Sequence, residues 1–209
     1  MNDFIQVLKE RIKGDLPGYT AHHPMMSYTR AQPSEARQMN PPARESAVMM
    51  LLYQKGSEWY TAFMKRPDGE STHSNQISFP GGKQEPNETH EQTALRETYE
   101  EVGIAPDSIQ VLGELSELYI PPSHFIVRPY IGLLDYVPVF VPNPSEVIRV
   151  IQEPVANFLK EGIILQKEIY ISKFNARFNA MYFDLQGETL WGATAMVVQE
   201  FRSILGFNT

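Results

Sequence analysis

The sequence predicts a single α/β domain in which a central mixed β-sheet lies between helices. Three observations support this fold class. The chain of 209 residues is long enough for one large domain with a sizeable core. Short β-like runs are mixed with two or three helical segments. We find no internal repeat and no linker that would divide the chain, so we expect one domain over residues 1–209.

Composition limits the classes of partner. The net charge of −7 argues against broad binding to nucleic acid or to an anionic membrane. It does not argue against an anionic substrate, because a bound divalent metal reverses the local charge. No apolar run approaches the ~18–20 residues that span a bilayer, and the N-terminus lacks the apolar core of a signal peptide. The absence of cysteine excludes disulfides and thiolate metal sites and fits a cytoplasmic protein. The composition is compatible with a homodimer as well as with a monomer.

The N-terminal part predicts one short helix followed by a long irregular segment. Residues 3–13 form a predicted helix with four apolar residues on one side: Phe4, Ile5, Leu8 and Ile12. Residues 15–44 are rich in Pro, Ser and His and show no period. A loop of that length without structure is uncommon in a compact domain. We interpret it as an arm packed on the domain or on a partner subunit, with disorder as the alternative.

The remaining chain is predicted as strands and helices in alternation. Strands are predicted at 47–53, 59–65, 76–79, 109–118, 125–134, 137–141, 146–152, 163–174 and 179–184. The first two form a hairpin through residues 54–58. A helix is predicted at 154–160, with proline in its first turn, and another at 191–205 with one apolar face.

A further helix follows the glycine pair Gly81-Gly82. We expect it to start near Asn87, whose side chain is suited to accept a hydrogen bond from an early helical N–H. Gly103 is expected to end it in a left-handed conformation.

Three glutamates of this helix fall on one face. Glu97, Glu100 and Glu101 are spaced i, i+3 and i+4. Like charges at that spacing destabilise a helix by roughly 0.2–0.5 kcal/mol per pair. A solvated acidic face is the simpler interpretation. A hard divalent cation with oxygen ligands would make the arrangement favourable.

The segment from Gly82 to Ile104 resembles the Nudix box. The residues that carry the resemblance are Gly82, Glu88, Arg96, Glu97, Glu100, Glu101 and Gly103. Seven such identities recur by chance on the order of once in 10⁸ to 10⁹ start positions. One departure is Thr98, where the family usually has a bulky aliphatic residue that packs the helix against the sheet. The resemblance implies an α/β/α sandwich with a central mixed sheet and a pyrophosphohydrolase activity.

The resemblance also implies a metal site that holds Mg²⁺ or Mn²⁺. The implied metal ligands, of which the glutamates are also catalytic, are Glu97, Glu100, Glu101 and the main-chain carbonyl of Gly81. Arg96 would brace the carboxylates through a bidentate contact. Glu88 and Gly82 are supporting residues. The general base stays open between Glu97 and the later loop acid Glu146.

Two other interpretations of these residues are weaker. Gly81-Gly82-Lys83 is not a P-loop, because Ile77 and Gln84 stand where that motif requires Gly and Ser/Thr. The five histidines show no paired metal-ligand spacing. His90 is expected to be a surface histidine or, alternatively, a support for the metal ligands.

Further stretches resemble the coenzyme A pyrophosphatase branch of the family. These stretches are residues 63–66, His73, 76–82, 119–129 and 191–195. The branch implies cleavage of coenzyme A or a derivative into 3′,5′-ADP and 4′-phosphopantetheine. The substrate-binding residues implied are Arg66, His73, Gln76 and Ser78. Arg66 is expected to face the 3′-phosphate or, alternatively, to pair with a nearby carboxylate such as Asp68 or Glu70 or to brace the loop. Two departures are Ser71 in place of a second arginine and Asn75 in place of a glycine.

Two alternatives remain for the function. The first is a pyrophosphatase for ADP-ribose or a nucleotide sugar. The second, from another class, is a non-catalytic Nudix-fold module that only binds its ligand. The usual mark of such a module is a lost catalytic glutamate or an attached DNA-binding domain, and the sequence shows neither.

Overall fold

The computed structural model describes residues 2–68, 76–171 and 175–207. The central sheet consists of β1 (Arg44–Lys55), β2 (Glu58–Lys65), β3 (Ile77–Ser78), β4 (Gly81–Lys83), β5 (Gln110–Glu114), β6 (Leu118–Ile120), β7 (Phe125–Leu133) and β8 (Arg149–Pro154). A second, antiparallel sheet consists of β9 (Ile164–Ile171), β10 (Ala176–Leu185) and β11 (Glu188–Trp191). The α-helices are α1 (Asn2–Arg11), α2 (Tyr19–His22), α3 (Pro33–Arg37), α4 (His90–Val102), α5 (Val155–Phe158) and α6 (Gly192–Ile204).

Strand β1 organises the central sheet. It pairs antiparallel with β2 and β4 and parallel with β7, which makes the sheet mixed. Its alternate residues enter opposite hydrophobic layers, as the two-residue period of a strand requires. Met50 and Leu52 pack in the layer that contains α1 and α6, while Met49 and Leu51 pack in the layer that contains α4. The sheet therefore lies between helices, and the predicted fold class is confirmed.

The arm of residues 15–44 lies against the domain. It contains α2, a 3₁₀ turn at His23–Met25 and α3. These elements were not predicted, because the sequence of the arm shows no helical period. Met25 and Ala36 are completely buried. His22 Nε2 lies at hydrogen-bond distance, 3.0 Å, from the carboxylate of Glu200 in α6, and both side chains are buried.

Two strand predictions are wrong. Residues 137–141 form no strand: their valines face solvent, with Val139 81% exposed, and Pro138 and Pro142 offer no N–H to a ladder. The predicted strand 109–118 is divided into β5 and β6. The N–H of Ser116, between them, donates to the Glu200 carboxylate instead of to a neighbouring strand.

The boundaries of other elements differ from the prediction. Helix α4 does not start near Asn87, which has a left-handed φ of 71°. Thr89 caps the helix instead, and its side chain and that of Gln92 form a reciprocal capping box. Strand β8 begins at Arg149, so Glu146 lies in the preceding turn. The short strands β4 and β11 were not predicted.

Candidate active site

The two glycines of β4 allow close contacts that no side chain would permit. Gly81 has φ 155°, and a Cβ atom there would lie 2.3 Å from the carbonyl oxygen of Ala47 in β1. A Cβ atom on Gly82 would lie 2.5 Å from the carboxyl carbon of Glu97. Glycine at these positions therefore lets β4 approach β1 and lets the Glu97 carboxylate rest on the backbone of β4.

Helix α4 presents its acidic face to this glycine turn. The adjacent side of the helix packs on the sheet through Ala94, Thr98 and Val102, which are buried. The Thr98 hydroxyl donates to the Ala94 carbonyl oxygen at 2.6 Å, so its polar atom is satisfied inside the helix. Gly103 ends the helix in a left-handed conformation, as predicted.

Arg96 connects three of the predicted site glutamates. Its Nε and Nη2 donate to the two oxygens of Glu88, at 2.6 and 3.1 Å, and these hydrogen bonds lower the pKa of Glu88 to about 2. Its Nη1 donates to Glu97 at 2.8 Å and to Glu100 at 2.9 Å. The bidentate contact thus goes to Glu88, while Glu97 and Glu100 share one nitrogen.

Glu101 is the buried acid of the site, with a side chain that is 1% exposed. Its carboxylate accepts a hydrogen bond from the Gly81 N–H at 2.7 Å and another from Arg66 Nη2 at 2.8 Å. Burial raises the pKa of Glu101 to about 7 although both donors oppose the shift. The negative charges of Glu97 and Glu146 raise it further.

The structure brings Glu146 towards this cluster. The Asn143 N–H donates to the Glu101 carbonyl oxygen at 2.9 Å, and the Glu146 N–H donates to the Asn143 carbonyl oxygen at 3.0 Å. Burial raises the pKa of Glu97, and the charges of Glu100 and Glu146 raise it further. Glu97, Glu101 and Glu146 therefore repel one another across one small region.

The donor atoms of this region suit a hard cation, although their present arrangement is not a coordination sphere. Within residues 2–68, 76–171 and 175–207, no three acidic or histidine side chains converge as metal ligands do. Glu97 and Glu100 are directed to Arg96, and Glu101 to Arg66. Carboxylate and carbonyl oxygens are nevertheless the ligands that Mg²⁺ and Mn²⁺ prefer. A cation would also relieve the repulsion among Glu97, Glu101 and Glu146.

The predicted substrate-binding residues lie at the edge of this site where they are described. Arg66 Nη2 contacts both Glu101 and, at 3.1 Å, the Gly81 carbonyl oxygen. The Gln76 carbonyl oxygen accepts from the Arg66 N–H at 3.1 Å. Ser78 Oγ is buried and has no hydrogen-bond partner among the described residues. His73 falls outside the described residues.

Some partners of the site were not predicted from the sequence. Arg66 is the partner of Glu101, 35 positions along the chain, and no local spacing relates them. His90 does not support the metal ligands: its Nε2 lies 3.0 Å from Glu45 Oε2. Glu45 also pairs with Arg37 of the arm at 2.7 Å, so the arm is tied to the start of α4.

No helix in the described part of the chain is long and apolar enough to cross a membrane.

Comparison with known proteins identifies one family and several relatives. A family model described as the NUDIX domain matches residues 43–157. The chain is 35% identical over 124 residues to the mouse (Mus musculus) "Peroxisomal coenzyme A diphosphatase NUDT7". This alignment covers 59% of this chain and 52% of that protein. It is 31% identical over 170 residues to "Nudix hydrolase 15, mitochondrial" of Arabidopsis thaliana, covering 78% of this chain and 59% of that protein. The chain thus spans between half and two thirds of the length of these two relatives.

Solved structures with the same fold are more distant in sequence. The Nudix hydrolase RenU from M. smegmatis aligns with a TM-score of 0.56 at 15% identity, covering 78% of this chain and 86% of that chain. A MutT/nudix family protein from Enterococcus faecalis aligns with a TM-score of 0.53 at 13% identity, covering 99% of this chain and 75% of that chain. At these identities the similarity supports the fold alone.

Proposed function

The chain belongs to the NUDIX domain family, and from this we propose that it hydrolyses a nucleoside-diphosphate-linked compound with the help of Mg²⁺ or Mn²⁺. Members of this family generally need divalent metal ions. The family matches also support the predicted enzyme class, a Nudix pyrophosphohydrolase.

The observation that carries the proposal is the buried carboxylate cluster beside the glycine turn. Glu101 is fixed by the Gly81 N–H and by Arg66, and Glu97 lies directly over Gly82. Burial and mutual repulsion raise the pKa of both acids. A group of hard oxygen donors with excess negative charge is suited to bind a cation that in turn binds a diphosphate.

Each residue of the site has a proposed role. Glu97, Glu100, Glu101 and the Gly81 carbonyl oxygen would hold the ion, which when bound supplies charge neutralisation at the diphosphate and a more acidic water. Arg96 and Glu88 keep the acidic face of α4 in position.

The general base is either Glu97 or Glu146. A raised pKa brings the Glu97 carboxylate closer to the range that favours proton transfer at neutral pH.

For the substrate we propose coenzyme A or a derivative, split into 3′,5′-ADP and 4′-phosphopantetheine. The support is the relative named as a coenzyme A diphosphatase, at 35% identity over 59% of this chain. Residues 63–66 and 76–82, which resemble the coenzyme A pyrophosphatase branch, give further support. ADP-ribose or a nucleotide sugar is the alternative substrate class.

The proposal is tested with a panel of compounds and identification of the products. Coenzyme A, dephospho-coenzyme A, ADP-ribose and a nucleotide sugar are each incubated with Mg²⁺ or Mn²⁺, and kcat/KM is measured. We expect cleavage of the diphosphate, fastest for coenzyme A, and no turnover in EDTA. Faster cleavage of ADP-ribose than of coenzyme A would show that ADP-ribose is the preferred substrate. Full activity in EDTA would contradict the metal dependence.

Two substitutions test the carboxylates themselves. Glu100→Gln and Glu101→Gln should each lower kcat at least ~10²-fold, as the loss of a group that stabilises transition-state charge would. Glu91→Gln is the matched control, because Glu91 lies on the exposed first turn of the same helix. Retained activity in both test variants would exclude Glu100 and Glu101 as the proposed metal ligands. A wild type that binds a compound of the panel but hydrolyses none of them would instead favour a module that only binds its ligand.

A further inference from the structure

Arg30, in the arm before α3, is a buried arginine without an acidic partner among the described residues. The residue is only 9% exposed. Its Nη1 lies 3.4 Å from the Tyr119 carbonyl oxygen, which is long for a hydrogen bond. Its guanidinium carbon lies 4.8 Å from the centre of the Tyr28 ring. Arginine stays protonated in proteins, so the buried charge persists and its burial is unfavourable without a counter-charge.

Two serine hydroxyls, one on the arm and one in the turn that follows β6, are also unused among the described residues. Arg30 Nε, Ser27 Oγ and Ser123 Oγ are buried and have no hydrogen-bond partner in the part of the chain that the structure describes. Ser27 precedes Arg30 by three residues in the arm. Ser123 lies in the turn that joins β6, which carries Tyr119, to β7. Each of these atoms can donate a hydrogen bond to an oxygen of a bound group.

A second guanidinium lies on the same turn. Arg44 Nη2 donates to the Ser123 carbonyl oxygen at 2.9 Å, and its guanidinium carbon lies 4.0 Å from the centre of the Phe125 ring. Arg44 has no ion pair within the described residues. The arginines that do pair with carboxylates are Arg37, Arg66, Arg96, Arg128, Arg149 and Arg177. In a chain with 25 acidic residues, Arg30 contacts β6 and Arg44 contacts the turn that follows it, and neither has an acidic partner among the described residues, as expected of a site for an external anion.

Arg202 shows what a structural buried arginine looks like in this protein. It is 2% exposed and has no acidic partner in the described ranges. Its Nε, like that of Arg30, has no hydrogen-bond partner among the described residues, but two of its other nitrogens donate to the Gln199 side-chain oxygen and to the Lys160 carbonyl oxygen, each at 3.3 Å. Within the described residues, Arg30 has only its one long contact to a protein oxygen.

We propose that Arg30, Arg44, Ser27 and Ser123 form a phosphate-binding site, distinct in its residues from the carboxylate cluster of α4. A guanidinium fork binds phosphate oxygens in a bidentate manner, and the two hydroxyls supply further donors. The ligand class is a phosphate dianion. It comes either from a phosphomonoester of the substrate, such as the 3′-phosphate of coenzyme A, or from free inorganic phosphate. The first source rests on the proposed function and the second does not.

Inorganic phosphate is the first probe, used with the metal-free protein at constant ionic strength. We expect phosphate to raise the melting temperature of the wild type, and its Kd from calorimetry to be at least about tenfold weaker in Arg30→Met. Without phosphate, Arg30→Met should melt at the same or a higher temperature, because an unpaired buried charge is replaced by an apolar chain of similar length. A merely structural Arg30 would instead make that variant less stable.

Two further variants keep the test decisive. Arg44→Gln changes an exposed position of the same site and should weaken phosphate binding even if Arg30→Met fails to fold. Arg177→Gln removes the same charge at a distant, 70% exposed position and should bind phosphate as the wild type does. The proposal is overturned if phosphate has no effect on the wild type, or the same effect on all four proteins.

Substrate kinetics separate the two sources of phosphate. If the substrate supplies it, Arg30→Met should lower kcat/KM for coenzyme A at least about tenfold relative to dephospho-coenzyme A. If kcat/KM falls equally for coenzyme A and dephospho-coenzyme A while phosphate binding still depends on Arg30, the site binds free phosphate. If no compound of the panel is hydrolysed, the proposed function fails while the binding measurement still stands.

Discussion

Arg66 donates to the buried carboxylate of Glu101 at 2.8 Å, and the same nitrogen lies 3.1 Å from the Gly81 carbonyl oxygen. One guanidinium from the end of β2 therefore joins the last turn of α4 to the glycine turn. The sequence suggested that Arg66 faces a substrate phosphate. In the described geometry Arg66 Nη2 is engaged by Glu101, and we infer from this that Arg66 positions the Glu101 carboxylate.

We predict that Arg66→Met lowers the turnover of coenzyme A and dephospho-coenzyme A by similar factors, about 10-fold or more. Glu101 would lose a charge-assisted hydrogen bond in a buried position, which affects the site whatever the substrate. The measurement is kcat/KM on both compounds, with Arg149→Gln on the neighbouring strand as the control. A fall in kcat/KM for coenzyme A alone would instead support the predicted contact between Arg66 and the 3′-phosphate.

Alanine at the two glycines should have different effects. Gly82→Ala places a methyl group against the movable end of Glu97, so we expect a folded protein with at least about 10-fold lower kcat. Gly81→Ala collides with the backbone of Ala47 and Val48 and has an unfavourable φ, so we expect the free energy of unfolding to fall by about 1–3 kcal/mol or more. Urea unfolding and initial rates distinguish the two. Equal stability of both variants would show that β4 moves away from β1 freely.

The raised pKa of Glu101 predicts a pH-dependent stability of the metal-free protein. Because the folded state raises the pKa from 4.5 to about 7, it binds a proton that the unfolded chain has released over that range. The stabilising contribution is complete below pH 4.5 and is lost as pH rises through about 7. Relative to Glu101→Gln, the wild type should lose on the order of 3 kcal/mol of unfolding free energy between these limits.

Urea unfolding in EDTA at several pH values between 4 and 8 measures this difference. Glu91→Gln is again the control and should follow the wild type. Parallel curves for wild type and Glu101→Gln would mean that Glu101 titrates at an ordinary pKa in the folded protein.

The attachment of the arm to α6 predicts the effect of removing His22. Glu200 is completely buried, and among the described residues His22→Ala leaves it with only the backbone N–H groups of Gly18 and Ser116 as donors. Breaking a buried pair in this way costs about 3–5 kcal/mol. We expect a lower melting temperature and faster proteolysis within residues 15–44.

His23→Ala, at the exposed neighbouring position, is the matched control for that experiment. Limited proteolysis of the wild type should spare the arm. Rapid cutting throughout residues 15–44 of the wild type, with activity unchanged, would show that the arm is not held by the domain.

The elements that the sequence predicted well are those whose signals are local. Apolar periodicity predicted the final helix and the strands near 47–53, 59–65 and 125–134. Gly103 ends α4 because that position requires a left-handed conformation, which glycine adopts readily. The strand expected at 137–141 shows the weakness of the same signal. Alternating valines resemble a half-buried strand, but whether a neighbouring strand is available to pair with them is not a local property.

The sequence by itself determined the family, the fold class and the shared face of Glu97, Glu100 and Glu101, because residue identity and helical spacing are sufficient for these. Tertiary structure decided which of these acids is buried, and that Arg96 holds Glu88 most closely while Arg66 holds Glu101. It also placed Arg30 beside Tyr119 of β6, about 90 positions along the chain, without an acidic partner among the described residues. Burial and long-range pairing depend on how distant segments fill one core, so no window of the sequence contains them.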